Sequence, residues 1–271
     1  MGHQLQSLLF MDKKITIEKI MKARVIFWDF DGVIKDSVPV KTEAFRKLFL
    51  SYGTDIADKV VKHHLANGGV SRFKKIPYYF KEYVGKNINH KEFDRYVNNF
   101  SELVVEEVIK SPWIAGVEDF LRSNEYLQEF ILVTGTPQSE IKIILNELNL
   151  TELFISIHGA PKEKTVMVSD DIKKYGYKAS DCILIGDSPT DFKAAHENNI
   201  NFIGSTKITK VDFDNKRISS SLNTYEYDQL LIATGSSNRH LVINGQTILP
   251  EENIVYLRDF EESKSLNDKM N

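Results

Sequence analysis

Short apolar runs recur along the chain at spacings that set its architecture. Residues 24–28, 130–133, 153–157 and 182–185 are each four or five residues long. β-Branched and aromatic side chains dominate most of them. None alternates strictly between apolar and polar, the pattern of strands covered on both faces. Residues 200–203 (Ile-Asn-Phe-Ile) form a fifth candidate strand. Between the runs, helical periodicity covers 118–123, 138–148, 164–175 and 191–198. Strands alternating with helices predict an α/β fold, a doubly wound parallel sheet of Rossmann-like type. In such a sheet the active site lies beyond the carboxyl ends of the strands.

The interval between the first and second strands departs from this rhythm. Residues 36–112 read as helices throughout, at 40–52, 56–65, 76–84 and 91–109, with breaks at Gly53, Asn67-Gly68-Gly69 and Gly85. A helical insertion placed directly after the first strand is suited to cover the site as a lid. The domain reading is therefore a catalytic core of 21–35 and 113–205, a helical cap of 36–112, and two flanking pieces, 1–20 and 206–271. The first twenty residues read as an extension, and Met21 is a candidate natural start.

Bulk properties narrow the function classes. The chain has 271 residues, 42% of them hydrophobic, and a formal net charge of −3. Nothing in that balance suggests a nucleic-acid or membrane surface. No apolar run approaches the ~18 residues of a membrane helix. The single cysteine, Cys182, excludes an intrachain disulfide and fits a reducing compartment. The expectation is a cytoplasmic protein acting on a small molecule.

The candidate chemistry follows the strand ends. The first run leads into Asp29, Phe30, Asp31 and Gly32. Two carboxylates two positions apart share one side of an extended chain, and the glycine permits a tight turn. The second run leads into Thr134-Gly135-Thr136, a hydroxyl followed by an amide open to an anion. Lys162 and Lys164 follow the third, and Gly186-Asp187-Ser188-Pro189-Thr190-Asp191 follows the fourth. Singly, each is an ordinary turn or cap signal. Jointly they place four carboxylates, hydroxyls and a lysine at one sheet edge. Converging carboxylates repel one another and raise their pKa values unless a cation joins them. Mg²⁺ prefers such oxygens, which makes it the expected cofactor.

These motifs, in this order, resemble the haloacid dehalogenase superfamily with a helical cap, a layout shared by its phosphoglycolate phosphatase-like and sugar-phosphate phosphatase-like branches. The resemblance covers about 23–204. It implies that Asp29 attacks phosphorus and becomes an aspartyl phosphate, and that Asp31 acts as acid and then base. It implies Mg²⁺ held by Asp29, the Asp31 backbone carbonyl and Asp187, with Asp191 as a further ligand. Thr134, Gly135, Thr136 and a lysine would grip the phosphoryl oxygens. Two positions are open for that lysine. Spacing from Gly186 favours Lys162, whereas a Gly-x-Pro-x-x-Lys pattern over 159–164 favours Lys164, the preferred reading. Val33 keeps open the sugar phosphomutase branch, in which a second hydroxyl rather than water receives the phosphoryl group.

Within the insertion, 63–75 joins His63 and His64 to a glycine pair and to Arg72, Lys74 and Lys75. One reading is a loop that folds onto substrate, with Arg72 meeting an anionic group; the other is a connection with exposed basic residues. His63 and His64 read equally as solvated helix residues. Tyr78, Tyr79, Phe80 and Tyr83 are expected to pack the insertion's own core. Beyond Gly204 the pattern changes to short antiparallel strands, 207–213 and 217–221, turning at Asp214-Asn215. Residues 225–236 and 253–259 resemble a fragment of pyridine-nucleotide-dependent flavoprotein reductases. The chain has no Gly-x-Gly-x-x-Gly turn to seat a dinucleotide pyrophosphate, so neither flavin nor nicotinamide chemistry is expected of it.

Overall fold

The computed structural model describes residues 20–205 and, beyond them, 208–212, 214, 215, 217–220, 224–226, 242, 243, 246 and 247. Two compact units divide the chain, one spanning 17–206 and the other comprising 1–16 with 207–271.

The larger unit is built on five parallel strands: β1 (Val25–Trp28), β2 (Glu129–Pro137), β3 (Phe154–Ala160), β4 (Cys182–Gly186) and β5 (Asn201–Gly204). Their spatial order is β3-β2-β1-β4-β5. The two-residue period of a strand sends alternate side chains to opposite layers. Ile26, Trp28, Phe130, Leu132 and Ile183 enter one core with Leu121, Ile141, Ile144 and Leu145. Val25, Phe27, Ile131, Val133, Cys182 and Leu184 enter the other with Met167, Val168, Ala194 and Ala195. The helices that supply those partners are α5 (Val117–Ser123), α6 (Gln138–Glu147), α7 (Lys164–Tyr175) and α8 (Pro189–Glu197). Burial on both faces accounts for the unbroken apolar runs of the central strands.

The predicted strands are all present, but β2 and β3 extend past their apolar runs. Thr134, Gly135 and Thr136 lie inside β2, where backbone pairing continues to Pro137 opposite Ala160 after a register shift. The hydrophobic signal stops at Val133 because the strand there leaves the core and reaches the site.

The insertion holds α1 (Val38–Phe49), α2 (Thr54–Ala66), α3 (Arg72–Tyr79) with a π-helical turn over Phe80–Val84, and α4 (His90–Lys110). Phe45, Phe49, Tyr79, Phe80 and Phe100 are fully or almost fully buried and pack ring to ring. Tyr79 and Phe80 thus behave as expected, whereas Tyr78 is exposed and stacks on His63. The segment read as a loop through Lys75 already turns helical at Arg72, capped by Ser71, whose hydroxyl accepts from the Phe73 amide. Pro77 inside α3 hides this start, since proline breaks the pattern that marks a helix. His64 is buried, not solvated, and packs on Phe45.

Both ends of the insertion leave the sheet side by side. The Asp36 amide donates to the Pro112 carbonyl at 2.8 Å and the Ile114 amide to the Ile34 carbonyl at 3.0 Å. No helix among the described residues is long and apolar enough to cross a membrane.

In the smaller unit, β6 (Ile208–Asp212), β7 (Arg217–Ser220) and β8 (Thr224–Glu226) form an antiparallel meander. The Asn215 amide closes the predicted turn on Asp212 Oδ1 at 3.1 Å. A short pair, β9 (Val242–Ile243) and β10 (Gln246–Thr247), follows. The extension 1–19, most of 225–236 and all of 253–259 lie outside the described residues.

Candidate active site

Register alone brings the strand ends together. Trp28, the last residue of β1, sits opposite Leu132 of β2 and Ile185 of β4. The next residue, Asp29, therefore emerges between the Val133-Thr134 and Gly186-Asp187 ends, with its amide bonded to the Ile185 carbonyl at 2.9 Å. Asp29, Asp187 and Asp191 each present one carboxylate oxygen, all within 4.8 Å of one another. Asp191 reaches this cluster from the first turn of α8, where Ser188 caps it.

Lys164 is the cation of the cluster. Its Nζ lies 2.8 Å from Asp29 Oδ2 and 2.6 Å from Asp191 Oδ1. Burial disfavours the ammonium, but the two aspartates outweigh it and raise the lysine above its ordinary value. Of the two candidate lysines, the structure brings Lys164 to the cluster. Lys162 is instead half exposed and pairs with Asp170 on the surface of α7.

The carboxylates are strongly perturbed. Burial first, and the charge of Asp191 second, push Asp29 well above the usual carboxylate range, against the opposing pull of Lys164. Asp187 is an exposed residue at the sheet edge, yet desolvation of its carboxyl among its neighbours and then the charge of Asp191 push it up to about 7. Three carboxylates face one lysine, and every donor is a hard oxygen. This donor set fits a divalent cation, which would remove the repulsion that raises these values. Asp191 offers the least free coordination, because Lys164 holds its Oδ1 while the Ser188 amide and hydroxyl hold its Oδ2 at 3.2 and 2.5 Å.

The Asp31 side chain stands outside the cluster. Its Oδ1 accepts from Ser37 Oγ at 2.6 Å, and its Oδ2 accepts from Lys41 Nζ and from Thr136 Oγ1 at 3.0 Å. Burial acts to raise its pKa, yet Lys41 and these hydrogen bonds prevail and hold the carboxyl below its ordinary value. Only the Asp31 backbone carbonyl is left as the predicted metal ligand. Thr136 is committed to Asp31 and to Lys41, which donates to it at 2.7 Å. Thr134 is fully buried beside the nucleophile position, its hydroxyl accepting from the Thr136 amide at 3.2 Å.

Ser37 and Lys41 were not anticipated. They sit one helical turn apart at the start of α1, so both reach the same carboxylate. The available signal was their position where the insertion begins, just after the turn at 29–32.

The insertion closes on the sheet edge at several points. Gly69 has φ +72°, and a Cβ there would lie 1.9 Å from Thr190 Oγ1 and 2.4 Å from Ser188 Oγ. The Gly69 carbonyl in turn approaches so near Gly135 that a Cβ on Gly135 would lie 2.6 Å from it. Arg72 does not reach toward an open site. It is buried and grips Glu140 of α6 with two bonds, at 2.9 and 2.7 Å, while Ser101 of α4 accepts a third at 3.0 Å. The anion it meets belongs to the protein, which corrects both earlier readings: Arg72 is neither a free substrate clamp nor an exposed surface residue. Lys74 adds a surface pair with Glu163, the residue before α7.

Comparisons with known proteins agree with this geometry. Residues 25–205 match the family described as haloacid dehalogenase-like hydrolase. Phosphoglycolate phosphatase 1 of Pseudomonas aeruginosa is 26% identical over 181 residues, covering 64% of this chain and 65% of that protein. A predicted phosphoglycolate phosphatase from Haemophilus somnus superposes with a TM-score of 0.54 at 18% identity, covering 68% of this chain and 85% of that one. A separate short stretch is 44% identical over 71 residues to monodehydroascorbate reductase 4, cytosolic, of Oryza sativa subsp. japonica, 26% of this chain but only 16% of that protein. That likeness fits the reductase-like fragment read in the tail. The chain thus spans less than two thirds of the length of both curated relatives.

Proposed function

We propose that this chain, which belongs to the haloacid dehalogenase-like hydrolases, is a cytoplasmic Mg²⁺-dependent phosphatase of small phosphate monoesters that works through an aspartyl phosphate on Asp29. The observation that carries this reading is the meeting of Asp29, Lys164, Asp187 and Asp191 at the ends of β1 and β4, beside Thr134 of β2. The names of the phosphoglycolate phosphatases it resembles support the substrate class.

On this reading Asp29 attacks phosphorus. The ester P–O bond breaks, the phosphoryl group passes to the Asp29 carboxylate, and the alcohol leaves with a proton from Asp31. Asp31 takes that proton up from solvent before the step, against the pull of Lys41 beside it. Water then attacks the phosphorus and gives a proton to Asp31, the bond between phosphorus and Asp29 breaks, and inorganic phosphate leaves with the Asp29 carboxylate restored. Dividing one displacement into two is the advantage of a carboxylate nucleophile. Lys164 and the Thr134 hydroxyl would hold the equatorial oxygens, with the Gly135 amide as a third donor. Asp29, Asp187 and the Asp31 carbonyl, with Asp191 beside them, would hold Mg²⁺, which supplies neutralisation of the phosphoryl charge.

Val33 does not discriminate between phosphatase and mutase, because it is buried in the core at 1% exposure. A panel of phosphate esters assayed with Mg²⁺ and with chelator tests the proposal. Mg²⁺-dependent release of inorganic phosphate supports it. Isomerisation of a hexose phosphate without phosphate release overturns it in favour of the mutase.

A further inference from the structure

Lys75 is an anomaly inside the insertion. It is 2% exposed, yet its ammonium has no ion-pair partner among the described residues. Its neighbours are His64, whose Nδ1 lies at 2.9 Å and whose carbonyl lies at 3.4 Å, and the ring of Phe45 at 5.9 Å. An ammonium carries three hydrogens and no lone pair. Two of its hydrogens go to His64, and the third is left over. When Lys75 is an ammonium it donates to His64 Nδ1, which leaves the proton of the neutral ring on Nε2. That N–H is buried and has no partner. A buried cation without an anion is costly, and a buried donor without an acceptor adds to the cost. Such a pair calls for an acceptor-rich anion.

Its location connects it to the reaction. Lys75 lies over Phe45, and Phe45 follows Lys41 by four residues on α1, a spacing that puts their β-carbons about 5–6 Å apart on one helix face. Lys41 touches both Asp31 and Thr136. The Lys75–His64 pair therefore faces the same stretch of α1 that carries Lys41 to the carboxylate assigned to the leaving group. Charge tells the same story: burial and then Lys41 lower Lys75 to about 7, while Asp31 acts in the opposite sense. His64 is held neutral, lowered to about 3 by burial and then by Lys75. Arg72, the other buried cation of α3, is already saturated by Glu140 and Ser101.

We propose that Lys75 and His64 form a subsite for a second anionic group of the substrate, a carboxylate or a further phosphate carried on the leaving-group side of the ester. This rests on the phosphatase reading and narrows it. Because Lys75 feels the charges of both Lys41 and Asp31, the subsite favours a compact substrate.

Three esters of similar size test the subsite. 2-Phosphoglycolate carries a carboxylate, ethylene glycol bisphosphate carries a second phosphate, and 2-hydroxyethyl phosphate carries a neutral hydroxyl. Binding is measured by calorimetry with Mg²⁺ on the Asp29→Asn protein, where turnover does not interfere, and on Asp29→Asn combined with Lys75→Met or Lys75→Arg. At least one anionic-tailed ester is expected to bind tenfold or more tighter than the neutral one, and which of the two does so identifies the anion. Lys75→Met should collapse that ratio to within threefold, and Lys75→Arg should keep part of it. A Lys75→Met protein that melts no lower than its parent shows that the loss is not one of folding. No preference in the parent, or an equal loss for all three esters in Lys75→Met, overturns the subsite. Phosphate release by the protein with Asp29 intact is scored separately. Its absence would defeat the phosphatase reading without touching the binding ratio.

Discussion

The Arg72–Glu140 pair offers a sharp test of how the insertion is held against the sheet. Both side chains are buried, at 5% and 7% exposure, and they join α3 to α6 through two charge-assisted hydrogen bonds. The Arg72 guanidinium also lies over the Phe100 ring at 4.2 Å. Removing one member of a buried pair strands the other charge and costs ~3–5 kcal/mol. For a domain of this size, 1 kcal/mol shifts the melting temperature by about 2–4 °C, so either single replacement should lower it by about 6–20 °C. The variants are Arg72→Met, Glu140→Leu and the double, followed by thermal and urea denaturation. The double variant should be more stable than either single one, because it strands no charge. An Arg72→Met protein that melts within about 2 °C of the parent while its KM rises sharply would refute this reasoning and restore Arg72 as a substrate clamp.

Other consequences can be checked alongside. Lys164→Met should cost at least ~10²-fold in kcat/KM by removing the cation beside the nucleophile, whereas Lys162→Ala should stay within about twofold; comparable losses would mean that the site lysine is misassigned. The acidic cluster sets a pH dependence. A carboxyl with a raised pKa stabilises the fold fully below the ordinary value near 4 and loses that contribution as pH rises toward about 7 for Asp187. The lowered Asp31 works in the opposite sense, its contribution being lost only as pH falls below about 4, outside this window. The gain in melting temperature on adding Mg²⁺ should therefore be larger at pH 8 than at pH 5, and equal gains would contradict the cluster as the metal site. Gly69→Ala should open the insertion, since its Cβ would collide with Thr190 and its φ is strained for any side chain. Faster limited proteolysis at 67–71 and a tenfold or greater loss of activity are expected, and parent-like behaviour in both would count against the closed arrangement.

What could be read from the sequence follows physical range. Parallel strands buried on both faces write themselves as apolar runs, and whatever follows those runs must share a sheet edge. That logic was enough to assemble Asp29, Thr134, Asp187 and Asp191, while it left Lys162 and Lys164 both open. It was insufficient for Lys41 and Ser37, whose contact with Asp31 depends on how α1 leaves the sheet. It failed for Arg72, because a side chain's partner across two helices leaves no periodic trace and Pro77 disguised the helix that carries it. The burial of His64 and Lys75 was invisible for the same reason: polar residues on an amphipathic helix read as solvent-facing until another helix covers them.

The central claim concerns one carboxylate, and the most direct measurement is Mg²⁺-dependent phosphate release by the Asp29→Asn protein beside its parent. This variant keeps the shape of the side chain and removes the nucleophile. A nucleophile acting as one member of a unit is expected to account for at least ~10³-fold in kcat. A loss of that size with an unchanged melting curve is the predicted result. Release that persists within about tenfold of the parent would contradict the account.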